Sequence, residues 1–72
     1  MDEYYELYDV GGGFTVVRVD RSEFASEFFD DDTHAWERND AYYDEIFHNG
    51  YGEPITKARA DELVQSVSLT TA

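Results

Sequence analysis

Residues 3–19 read EYYELYDVGGGFTVVRV, and this stretch decides the fold. Tyr4, Tyr5, Leu7 and Tyr8 alternate loosely with acids between Glu3 and Val10, the texture of a strand with two unlike faces. Phe14 to Val19 is rich in β-branched residues and reads as a second strand. Between them, Gly11, Gly12 and Gly13 supply a turn that accepts positive φ without steric cost. Two strands around a permissive turn make a β-hairpin. A phosphate-cradling role for the glycines needs a following helix and a Lys, and the sequence has neither there.

A two-stranded hairpin is marginal by itself, so the rest of the chain has to cover it. Residues 21–29 read two ways. Phe24, Phe28 and Phe29 at i, i+4 and i+5, with Ser22 as a cap, favour a short helix, and an extended third strand is the alternative. Asp30, Asp31 and Asp32 then open a loop reaching to about Arg38. From Asn39 or Asp40, either of which can cap, Tyr42, Tyr43, Ile46 and Phe47 form a helical stripe that stops at Asn49-Gly50. Tyr51 to Pro54 reads as a turn. Thr56 caps a last helix whose apolar face is Ala60, Leu63, Val64 and Val67, with Ile55 placed to staple against Ala60. The expected fold is a single small α+β domain over residues 1–72, its N-terminal hairpin packed against two or three short helices.

Charge is the second strong signal. The chain has 17 Asp and Glu against 5 Lys and Arg, a formal net charge of −12, together with 6 Tyr, 5 Phe and 1 Trp. Acid this dense ordinarily marks a disordered tail, but the aromatics supply apolar surface for a core. Residues 1–50 hold 14 acids and 3 bases, so the negative face belongs to the hairpin and the middle segment. Such a surface repels nucleic acid and anionic lipid, which excludes direct DNA or RNA binding and membrane association. Zero Cys and an acidic start at Asp2-Glu3 fit a cytoplasmic protein without disulfides.

Chemistry has little support in these residues. A chain this short can hardly enclose the pocket that would drive two carboxyl pKa values apart, so no catalytic residue, cofactor or metal site is expected. Asp30, Asp32 and His34 start like a calcium loop, but Ala35 and Ala41 stand where Gly and Glu are required. His48 complements the end of its helix. Trp36 is either the lid of the core or an exposed anchor for a partner.

The acids can instead form a binding face. Alternate strand residues lie about 6.6 Å apart and helical i, i+4 neighbours about 5–6 Å, a spacing comparable to successive phosphates. Glu37, Asp40 and Asp44 along one helical face, beside Asp30 to Asp32, would make a phosphate-like row. The candidate contact residues are Asp30, Asp31, Asp32, Trp36, Glu37, Asp40, Tyr43, Asp44 and Glu45. The plain alternative is that these acids only solvate the domain.

Small size, acid excess and Tyr interleaved with Asp and Glu resemble phage-encoded host-defence inhibitors, the anti-CRISPR proteins and DNA-mimicking anti-restriction proteins. The closing segment GEPITKARADELV, residues 52–64, also looks like the final helix of many short phage accessory proteins. The resemblance implies a non-catalytic monomer or homodimer in the host cytoplasm. Its role would be to occlude the basic nucleic-acid-binding surface of a Cas effector or restriction-type enzyme. The competing reading is a small structural protein that self-associates through its hairpin edge and aromatics.

Overall fold

The computed structural model describes residues 2–8 and 13–70, with side chains as far as Ser66. The turn at Gly11 and Gly12 and the side chain of Val67 lie outside the described residues. The elements are β1 (Glu3–Tyr8), β2 (Phe14–Asp20), β3 (Ala25–Asp30), β4 (Ala35–Arg38), α1 (Ala41–Phe47), β5 (Glu53–Ile55) and α2 (Lys57–Thr70). The strands form one antiparallel sheet in the order β4-β3-β2-β1-β5. The domain is α+β and begins with the expected hairpin.

Three local expectations are corrected. Residues 21–29 are a turn followed by a strand, not a helix. The reason lies in Asp20, whose Oδ1 accepts hydrogen bonds from the Ser22 amide and hydroxyl. Ser22 therefore closes a turn and is not a helix cap, and Phe24 takes a left-handed φ of 51° that ends any helical run. The loop expected to reach Arg38 closes after four residues by the same device. Asp30 Oδ1 accepts from the amides of Asp32 and Thr33, and His34 is left-handed at φ 55°. Residues 35–38 are then free to pair with β3. Third, the turn expected at Tyr51 to Pro54 gives way at Glu53 to β5, which pairs with β1.

Strand alternation sends the hairpin's side chains to two sides. Tyr5, Leu7, Val17 and Val19 face α1, where they pack with Ile46 and with half-buried Phe28, Tyr42, Tyr43 and Phe47. Val16 faces α2, against Ala60 and Leu63, flanked by Tyr4, Trp36 and Ile55. The sheet is thus sandwiched between two helices. Val17 and Val19 are fully buried, each contributing about 1.5–3 kcal/mol relative to exposure. The N-terminus of α2 is capped as the sequence indicates, with the Arg59 amide donating to Thr56 Oγ1 at 3.1 Å. At α1 it is Asn39 that caps, accepting from the Ala41 amide at 3.1 Å, while Asp40 makes no cap bond.

The hairpin is central, not peripheral. β5 covers β1 over Tyr4–Glu6 and β3 covers β2 over Val17–Asp20. Self-association through a free hairpin edge therefore finds most of that edge already paired. What extends beyond the flanking strands is the hairpin tip, Leu7–Tyr8 and Phe14–Val16.

Candidate functional site

All five Lys and Arg side chains are held by the protein's own carboxylates. Arg18 meets Glu27 at 2.8 Å, Arg21 meets Glu3, Lys57 meets Asp61 at 3.0 Å and Arg59 meets Glu62 at 3.1 Å. Arg38 grips Asp40 with two hydrogen bonds, at 3.0 and 3.1 Å. Arg18, Arg21 and Arg38 gather at the end of the sheet where β2 turns into β3. Two of them stack on rings as well: Arg18 lies 4.4 Å from the Trp36 centroid and Arg21 4.7 Å from that of Phe47.

The structure separates the sequence-derived contact residues. Asp30, Asp31 and Asp32 converge at the β3–β4 turn, with ligand oxygens within 4.8 Å of one another. Because Asp30 spends its oxygen on backbone amides, the cluster is first a turn-closing device. Glu37 stands on β4, not on a helix, and accepts from the Thr33 hydroxyl at 3.4 Å. The phosphate-like row along one helical face is therefore not formed, since residues 35–38 are extended. Asp40 is tied down: besides Arg38 it accepts from the Ser26 amide at 3.2 Å. The Arg38 hydrogen bonds foremost, then that amide, hold its carboxyl below the usual range. Asp44 faces His48 at 3.4 Å, and Asp44 and Glu45 are exposed on α1. Tyr43 packs on Phe24 and Phe47.

Trp36 sits on the opposite side of the sheet from α1. It is half-buried, edge-on to Tyr4 and Phe29, with Arg18 over its face. Its role in the fold is that of a lid.

Two grooves flank the hairpin tip. One, of about 290 Å³, lies beside β2 and is lined by Phe14, Phe29, Asp30, Asp31 and Tyr42, among others. The second, of about 780 Å³, lies beside β1 between α1 and residues 50–53, with Glu6, Tyr8, Glu45, Tyr51 and Glu53 in its lining. Among the described residues no Lys or Arg lines either groove. Glu6 is 6% exposed and sits directly across from Glu53 in the β1–β5 register. Hydrogen bonding to Glu6 above all, then burial, raises the Tyr8 phenol above its ordinary value. Glu6 and Glu53 escaped sequence reasoning, which weighs Tyr8 and Tyr51 only as members of a tyrosine set divided between core and exposed surface. The available signal was the i, i+2 spacing of Glu6 and Tyr8 in an alternating strand, which puts both on one face.

No family model, curated protein or solved structure matches this chain. Among the described residues, no helix is long and apolar enough to cross a membrane.

Proposed function

We propose that this protein is a non-catalytic acidic inhibitor that occupies the basic nucleic-acid-binding surface of a partner protein. Such a partner is a CRISPR–Cas effector or a restriction-type enzyme in the cytoplasm of a host cell. The supporting observation is the fate of the cations. Each of the five is matched to an internal carboxylate, so the excess acid is not neutralised from within. Asp30, Asp31, Asp32, Glu37 and Glu45 hold no Lys or Arg and stand on the surface or at its margin. A carboxylate array of this kind competes for cationic grooves by the electrostatics that draw DNA there. The folded surface of 4914 Å² leaves room for a standard interface of about 800 Å² on one side.

The test is equilibrium binding to purified Cas effectors and restriction enzymes at low and high salt, with duplex DNA as competitor. The expected outcome is affinity that falls steeply with salt and is lost to added DNA. Binding indifferent to both would remove the charge-based reading.

A further inference from the structure

The Asn49-Gly50 stop after α1 also sets an electrophile beside a nucleophile. When the backbone nitrogen of the following residue attacks an asparagine side-chain carbon, a five-membered imide closes. A side chain on that following residue obstructs the closure, and glycine has none.

The fold fastens neither reacting group. Asn49 and Gly50 are both exposed. On one side the Asn49 amide donates to the Asp44 carbonyl at 3.2 Å, and on the other the Tyr51 amide donates to the Glu45 carbonyl at 3.0 Å. Between these anchors, among the described residues, no hydrogen bond engages the Asn49 carboxamide or the Gly50 amide. The space is open as well, since a Cβ built on Gly50 would meet nothing within 4 Å.

Asn39 supplies the contrast within the same molecule. Its Oδ1 accepts from the Ala41 amide at 3.1 Å, and its own amide donates to the Ser26 carbonyl at 3.0 Å. The residue after it is Asp40, which has a Cβ and whose carboxylate is gripped by Arg38 and the Ser26 amide. The chain thus has two asparagines, one fastened by its side chain and one not.

We propose that Asn49 is a site of spontaneous modification, converting to aspartate and isoaspartate through a cyclic imide with Gly50. The Gly50 nitrogen gives up its proton and bonds to Asn49 Cγ; the Cγ–Nδ2 bond breaks, and that nitrogen leaves as ammonia. Water then adds to one imide carbonyl and breaks its bond to the Gly50 nitrogen. Opening at Cγ gives aspartate. Opening at the main-chain carbonyl routes the backbone through the side chain and lengthens it by a methylene. Either product carries one more negative charge than the −12 of the unmodified chain. The isoaspartate also lengthens the connection to Gly52, where a Cβ would already lie 3.0 Å from Leu7 Cδ1. This chemistry is independent of the basic-partner reading.

The experiment ages the purified full chain at neutral pH and body temperature, natively and unfolded in urea, and follows it by tandem mass spectrometry. Released ammonia and enzymatic methylation of isoaspartate are the second readouts. The expected result is exchange of NH2 for OH at Asn49, at a native rate within about threefold of the unfolded one, with Asn39 unmodified in the native chain. Gly50→Ala is expected to slow the reaction by about tenfold, and Asn49→Gln to remove it. Because Gly50 has φ +75°, the alanine variant is also compared with wild type in urea, where native folding no longer matters. The proposal is overturned by a native Asn49 that stays intact while the unfolded chain reacts, or by native modification at Asn39 instead. Equal rates for wild type and Gly50→Ala in urea overturn it too.

Discussion

At the end of the sheet where β2 turns into β3, Arg18, Arg21 and Arg38 hold Glu27, Glu3 and Asp40. At the opposite end, where β3 turns into β4, Asp30 closes a turn with backbone amides, and among the described residues no Lys or Arg forms an ion pair with Asp31 or Asp32. The two turns are built alike, each with a strand-ending Asp, a four-residue loop and a left-handed last residue. Their electrostatic surroundings are opposite. Construction and charge are thus independent variables in this domain: the Asp-closed turn folds the chain at both ends, and the placement of three arginines decides which end stays anionic.

The largest expected effect comes from the tip end. Gly52 has φ +92°, and a Cβ there would lie 3.0 Å from Leu7 Cδ1. Gly52→Ala should cost about 2 kcal/mol by urea denaturation, from backbone strain and crowding of the β1-side groove. Next is the neutralised end. Ser26 is 1% exposed, and its Oγ donates to the Asn39 carbonyl at 2.6 Å and accepts from the Tyr43 amide at 3.1 Å. Ser26→Ala unfastens β3 from the start of α1, at a cost of about 1–2 kcal/mol in the same measurement.

Acid sharpens the comparison further. Asp20 and Asp40 both titrate below the ordinary carboxylate value, Asp20 chiefly through Ser22 and Asp40 chiefly through Arg38. A depressed folded pKa gives stability that is present above the unfolded value and lost as pH falls through the folded one. Asp40→Asn should therefore lower the melting temperature at pH 7, and the difference from wild type should shrink below about pH 4 as Asp40 itself protonates. The smallest effect belongs to the anionic turn. Added salt should raise the melting temperature of the wild type, because the self-repulsion of −12 is screened beyond about 8 Å at physiological ionic strength. Asp31→Asn with Asp32→Asn should reduce that salt increment without lowering stability.

The hairpin and the last helix were legible because each has local causes: alternation around a glycine turn in one, a Thr56 cap and an i, i+3, i+4 stripe in the other. The α1 stripe was equally plain, since Tyr42, Tyr43, Ile46 and Phe47 all turn to the sheet. β3 was misread because the Phe24, Phe28 and Phe29 spacing also suits a helix. The arbitrating signal was the repetition of Asp20 and Asp30 ten positions apart, each closing a turn, and that signal concerns side-chain-to-backbone bonds more than apolar period. β5 has only three residues, and its pairing with β1 is a tertiary fact. The candidate site was legible as a charge excess but not as a place. Locating it required knowing which carboxylates the five cations consume, and four of those five pairs involve residues separated in the sequence by gaps that only the fold or a helical turn closes.

The sheet's two outer strands have one further consequence. β4 is four residues long and β5 three, with Pro54, which has no amide hydrogen, in the middle of β5. A sheet grows into a fibril by offering long rows of unsatisfied amides and carbonyls to the next chain. This one offers a short row on each side, and on β4 it carries Glu37 and Arg38. An aromatic-rich chain of this size is thereby guarded against polymerising through its sheet edges.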